Sequence, residues 1–247
     1  MIGFTGLLLA AAMGASPLQP QLTPGAHYSN IFSICIAFSL DGQKDETVFR
    51  NSGSATYLVN RVDAQTANLT GRGQYDGRAV FDGAFDVDLG THNVIKDGKQ
   101  IIDTDSSGFL YNPFMWGDPR ATLALGATWN VMIPRAWELG PAGTQKVTVL
   151  AIDPNANSVT LQRDGSGSGA ALDDTPRAFN YNGDSIKGTI APDGPATWHG
   201  ISTFANGIVM SDSILVTRNV RVTLANGTTV AAHERLYTLV AAVPGDT

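Results

Sequence analysis

Two arginines near the end of the chain are the first residues whose types and spacing suggest chemistry. Asn206-Gly207 and Asn226-Gly227 each stand between β-prone runs, the strongest short-range signal for a two-residue hairpin loop. Folding the chain tightly at Asn226-Gly227 sets Arg218 against Arg235 and Val220 against His233. The same operation at Asn206-Gly207 sets His199 against Ile214 on that same, otherwise apolar, face. Like charges directly opposed destabilise a sheet, so two outcomes are open: a β-bulge breaks the register, or an anion sits between the guanidinium groups. In the second case Arg218 and Arg235 hold a carboxylate or phosphate head group by charge-assisted hydrogen bonds. His199 and His233 then border the ligand, and Trp129, Trp198 and Tyr237 line its apolar part.

The other polar constellations carry less. Asp103-Thr104-Asp105-Ser106-Ser107-Gly108 looks like the first half of a calcium loop, but the closing carboxylate position falls on Phe114, so a hydrogen-bonded turn is expected. Asp82, Asp86 and Asp88 share one face of an alternating run and read as a solvated face. The four histidines, His27, His92, His199 and His233, lie 65, 107 and 34 residues apart, which matches no metal motif. Gly165-Ser166-Gly167-Ser168-Gly169 puts glycine where a hydrolase nucleophile should stand and lacks the Gly-Lys-Ser/Thr of a phosphate loop. No metal and no cofactor is therefore expected. Catalysis would have to come from carboxylates paired by the fold, with Trp116 as a sugar-stacking platform, in the manner of an envelope carbohydrate hydrolase.

Short β-prone runs must position these residues. They include Asn30 to Leu40, Ala55 to Val62 and Ala79 to Asp88, separated by Asp-Gly, Ser-Gly and Gly-Arg-Gly turns. Ala127 to Ile133, Gln145 to Ile152 and Ser158 to Arg163 follow, then Asp164 to Ala171 reads as a flexible loop. Thr197 to Ala205, Ile208 to Ala225 and Thr228 to Val240 complete a meander. The middle run of that meander far exceeds the usual ~3–10 residues of a strand and must bend. The expected fold is all-β: a curved antiparallel meander forming a half-barrel or barrel, with few short helices. Asp103 to Arg120 reads as an aromatic loop carrying Phe109, Tyr111, Phe114 and Trp116.

The segment Leu125-Gly126-Ala127-Thr128-Trp129, then Thr144 to Leu161, then Trp198-His199-Gly200 to Phe204 with Gly207-Ile208-Val209, resembles secreted bacterial lipoprotein-carrier-like (LolA-type) half-barrel proteins over residues 122 to 243. The resemblance implies a curved sheet around an apolar cavity and an apolar ligand or lipidated partner. It transfers no site residue, because no site motif matches.

The chain has 247 residues, 43% hydrophobic and 15% charged, enough for a substantial core. Sixteen basic residues against 22 acidic ones give a net charge of −6 with no basic cluster, which argues against a nucleic-acid partner. Ile2 to Ala12 is too short for a membrane span. Followed by Ala12-Met13-Gly14, it reads as a signal peptide over residues 1 to 14, though one lacking a basic n-region. Residues 15 to 27 read as a disordered leader and 28 to 243 as a single β domain. Cys35, the one cysteine, has no internal partner and suits a bacterial periplasmic or secreted protein. The sequence thus points to a non-enzymatic periplasmic or secreted protein binding an apolar or amphipathic, lipid-like molecule. The alternatives are the hydrolase and a structural or partner-binding envelope module with a self-filled core; oligomeric state is not set.

Overall fold

The computed structural model describes residues 16–101, 108–119 and 123–243. The predicted signal peptide and Asp103 to Ser107 of the calcium-like stretch lie outside these residues. β1 (His27–Leu40), β2 (Thr47–Val62), β3 (Thr66–Tyr75) and β4 (Arg78–Asp88) form a meander, extended by a small hairpin of β5 (Val94–Lys96) and β6 (Lys99–Ile101). A single helical turn, α1 (Pro113–Trp116), precedes β7 (Thr128–Ile133), β8 (Gly143–Asp153) and β9 (Ser158–Ser168). The chain then continues through β10 (Arg177–Tyr181), β11 (Asp184–Ala205), β12 (Ile208–Leu224) and β13 (Thr229–Val243). All join one antiparallel sheet in the order β6, β5, β4, β3, β2, β1, β13, β12, β11, β9, β8, β7, with β10 beside the first part of β11. The expected all-β fold is present as an open, curled sheet, since β6 and β7 are not paired to each other.

Strict alternation drives the curl. From Ile214 to Leu224 every second residue of β12 is buried, and β13 does the same from Val230 to Val240, so one face is dry and must close on itself. Ile36 and Phe38 of β1 share a cluster with Val147 and Val149 of β8 and Phe179 of β10. The Phe38 and Phe179 rings meet edge to face at 5.1 Å, and the Asn180 amide donates to the Thr47 hydroxyl at 3.0 Å. The sheet therefore wraps until β10 touches the β1–β2 corner.

Three local expectations change. Residues 16 to 26, expected as a disordered leader, are packed: Leu18 is 4% exposed, Gly207 donates to the Pro17 carbonyl and Gln21 to that of Asn206. A proline-rich segment cannot sustain its own ladder, yet here hairpin turns and strand edges supply its partners. Asp164 to Ser168 belongs to β9 rather than a flexible loop. Its glycines are steric necessities there: a Cβ on Gly165 would stand 2.3 Å from the Trp198 indole, and one on Gly167 would stand 2.1 Å from the Ala142 carbonyl oxygen. Gly71-Arg72-Gly73, expected as a turn, is likewise the middle of β3.

The hairpin registers also differ. Asn206 and Gly207 both have positive φ, 53° and 73°, as a two-residue type I′ loop requires, and Ala205 pairs with Ile208. A bulge then leaves Met210 without a cross-strand partner, so His199 faces Leu215 instead of Ile214. At the second hairpin Leu224 donates to the Thr228 carbonyl and Gly227 donates to that of Leu224. Ala225-Asn226-Gly227 is thus a three-residue loop whose left-handed residue is Gly227, φ 87°. The extra residue slides β13 by one place, so Arg218 opposes Glu234, and Arg235 opposes Thr217.

Candidate functional site

A slip of one residue reverses every side chain on a strand, and this decides where the predicted residues lie. Arg218 points into the interior, where its Nε donates to Glu234 Oε2 at 2.6 Å and its terminal nitrogens engage both oxygens of Asp174. Burial works against the Arg218 charge, but the hydrogen bonds to Asp174 and Glu234 outweigh it and its pKa rises. Burial raises the Glu234 carboxyl above its usual range, and Arg218 offsets only part of that. Trp198 is also interior: its Nε1 donates to Gln145 Oε1 at 2.7 Å and its ring meets Trp137 edge to face. Trp129, partly buried, donates from Nε1 to the Trp116 carbonyl at 2.7 Å.

The other four stand on the outer face. His199 Nδ1 lies 2.6 Å from Asp164, His233 Nδ1 lies 3.1 Å from Asn219 Oδ1, and Arg235 pairs with Glu46 at 2.6 Å. Tyr237 is 43% exposed. The two arginines thus do not share a face, and neither expected outcome separates them: β12 and β13 pair without a bulge from Ser211 to Thr223, and the three-residue loop alone sets the offset.

The interior is filled largely by the chain itself. Phe109, Tyr111, Met115 and Trp116, from the expected aromatic loop, are buried inside the curl. Trp116 Nε1 donates to Ser202 Oγ at 2.9 Å, Ser202 donates to Asp212 at 2.7 Å, and Arg163 pairs with the same carboxylate at 2.6 Å. The Arg163 guanidinium lies 4.8 Å from the Trp116 ring centroid. Truncating so buried an aromatic costs about 3–5 kcal/mol, so this segment is a fixed plug. Trp116 is therefore sealed away from any sugar, and the buried carboxylates Asp212 and Glu234 are each held by an arginine.

Space remains under the wing made by β2, β3 and β4. A groove of about 800 Å³ lies between that wing and Gly108 to Leu110. Its floor is aromatic because glycines of β3 clear room for rings: a Cβ on Gly73 would come within 2.0 Å of Phe81, and one on Gly71 within 2.9 Å of Phe85. Phe81, Tyr57 and Phe109 form a near-parallel stack with centroids 6.2 and 4.1 Å apart. Phe81 at its end stays 40% exposed and Val80 beside it 60%. The groove also carries the carboxylates Asp82, Asp86, Asp97 and Glu138 against the single lysine Lys96.

His92 ties the wing to the plug. It follows a loop capped by Asp88, whose carboxylate accepts from the Thr91 and Gly90 amides and is held below its ordinary pKa chiefly by the first. His92 itself has φ 60° and is buried, with Nδ1 2.5 Å from the Tyr111 carbonyl oxygen. Burial pushes its imidazole pKa down, against hydrogen bonds to the Tyr111 and Leu89 backbones that push it up, and Nδ1, facing a carbonyl oxygen, is a donor. Sequence reasoning missed this groove. The available signal was Gly71 and Gly73 at alternate positions, two residues that leave a strand face bare for aromatics from its neighbours.

No family model matches the chain, and no curated protein matches it. Among solved structures it is similar to neisserial surface protein A, at 8% identity over 87% of this chain and 96% of that one, with a TM-score of 0.22. It is also similar to a loop L8 deletion mutant of OmpT, an outer membrane protein of Vibrio cholerae, at 12% identity over 90% and 100% with a TM-score of 0.26. Both likenesses are too shallow to assign function. The chain's own geometry defines its class: a curled antiparallel sheet with a plugged interior and an open aromatic groove at one wing.

Proposed function

We propose that this chain is a non-enzymatic protein of the bacterial envelope or exterior that binds an apolar or amphipathic molecule in the groove beneath β2, β3 and β4. The observation that carries the reading is the exposed end of the ring stack. The rest of the interior is packed with the chain's own residues, whereas Phe81 and Val80 stay open to a concavity of about 800 Å³, a volume in the usual range for small-molecule sites. Export is supported by the apolar run Ile2 to Ala12 and the small residues that follow it. The resemblance to lipoprotein-carrier-like half-barrels points to the same ligand class, though to a different part of the sheet.

Titration with N-phenyl-naphthylamine, a neutral apolar dye that brightens on leaving water, tests the reading. Wild type should bind it saturably, and Phe81→Ser should weaken binding about tenfold or more, as loss of a buried ring contact implies. Ile201→Ser, on the outer face of β11, should change nothing. Absence of saturable binding, or equal affinity in wild type and Phe81→Ser, would sink the proposal.

A further inference from the structure

We infer that the natural occupant of the groove is an extended segment of another polypeptide, apolar and basic at alternate positions, which adds as a strand to the free edge of β4. The inference rests on the groove reading above and names its ligand.

Three observations converge on this edge. Along one side β4 pairs with β3 from Arg78 to Asp88, interrupted by a bulge at Val80, but on the other only Asp86 and Val87 have partners, in β5. From Arg78 to Phe85 the outer row of backbone donors and acceptors is unpaired among the described residues. The same stretch is open on both faces, since every residue from Arg78 to Ala84 is exposed. Proteins normally blunt such an edge by shortening, charging or covering it, and here it carries Val80 and Phe81. Finally, the residues from Val80 to Val87 line the groove without a gap. A strand sends alternate side chains to opposite faces, so an unbroken lining means that the groove runs along the backbone edge itself. A small apolar molecule would use the rings and leave that edge unsatisfied; a polypeptide strand uses both.

The two faces select the sequence of the incoming strand. Phe81, Gly83 and Phe85 face inward, paired across to Gly73, Gly71 and Leu69, and favour apolar side chains. Asp82 and Asp86 face outward, opposite Arg72 and Asn68. Asp82 pairs with Arg72 at 3.2 Å and Asp86 accepts from Asn68 at 2.7 Å, each through Oδ1, which leaves Oδ2 of each for a second donor; cross-strand pairs of opposite charge stabilise a sheet, so these two carboxylates favour a basic partner. A second copy of this chain is a poor match. Of its open sheet edges, β7 reads Thr128-Trp129-Asn130-Val131-Met132-Ile133 and brings no basic residue, and β6, Lys99–Ile101, is three residues long, too short to pair along Arg78 to Phe85.

The experiment uses three fluorescein-labelled peptides of about ten residues: alternating Val-Lys, alternating Val-Glu, and a fully N-methylated Val-Lys that has no backbone donor. Anisotropy titration should show saturable binding of Val-Lys with displacement of N-phenyl-naphthylamine, and binding about tenfold or more weaker for each of the others, the ratio expected when a few backbone hydrogen bonds or a charge pair are lost. The double variant Asp82→Asn, Asp86→Asn should keep dye binding and lose the preference for Lys over Glu. Equal affinity of Val-Lys and its N-methylated form, or dye binding that no peptide displaces, overturns this inference and leaves the groove reading standing. Failure of both dye and peptide to bind overturns both. A concentration-dependent dimer that excludes the peptide assigns the edge to a second copy and overturns the inference.

Discussion

Arg218 and Arg235 show how differently two identical side chains can be employed on neighbouring strands. The guanidinium of Arg218 is 4% exposed and closes a pocket of two carboxylates, Glu234 from β13 and Asp174 from the loop before β10. Removing it leaves both acids buried without their counter-charge, and breaking a buried pair in this way costs about 3–5 kcal/mol. Arg218→Ala should therefore lower the urea midpoint steeply, whereas Arg235→Ala, whose partner Glu46 is in open solvent, should leave it unchanged. Equal midpoints for the two variants would show that the interior triad contributes nothing net. The sequence presented the two arginines as equivalent because residue type and approximate spacing were all it displayed. Which arginine is inside depends on a single residue in the loop between them.

That loop is the element on which the C-terminal hairpin turns. A two-residue Asn-Gly connection and a three-residue Ala-Asn-Gly connection contain the same dipeptide, and they differ in whether Asn226 adopts a left-handed backbone. Here Gly227 does and Asn226 does not, so Ala225 is part of the loop. Deleting Ala225 should leave a two-residue Asn-Gly turn closing directly on Leu224 and Thr228, with Arg218 still opposite Glu234 and Leu236, Thr238 and Val240 still inside. The variant is expected to keep its cooperative thermal transition, and loss of that transition would show that Ala225 does more than lengthen the loop. Strand positions were largely legible, because β1, β7, β8, β12 and β13 alternate apolar and polar residues on a period of two. The Gly-Ser run of β9 and the Gly-Arg-Gly of β3 were not. In both, glycine is present because a ring, or at Gly167 a backbone carbonyl, lies against the strand, and a residue chosen for what its neighbours occupy carries no hydrophobic signal of its own. The aromatic segment around Trp116 was equally opaque, since nothing local distinguishes rings on a surface loop from rings folded back into a lumen.

At the scale of the whole molecule, the distribution of polarity is unlike that of an outer-membrane barrel, which wears an apolar belt outside and a polar lumen within. The lumen here is Ile, Val, Leu and Phe around a few closed polar networks, and the outer face of β11 to β13 mixes Ile201, Leu215 and Leu239 with His199, Arg235, serines and threonines. The strand order also places β1 against β13 in the middle of the sheet, while the open edges, β6 and β7, come from the middle of the chain. A chain ending at Thr228 would leave β1 and β12 with bare edges and split the interior. It should lose near-ultraviolet circular dichroism and aggregate, and a compact, soluble truncation would refute this account of the fold. The same arrangement has a consequence in time. Of the strands described, β13 leaves the ribosome last, so the seam that joins the two halves of the sheet cannot form until every other described strand has been made. Until then each half waits with an unpaired strand, exposed to chaperones and proteases for longer than a meander that closes in the order of its synthesis.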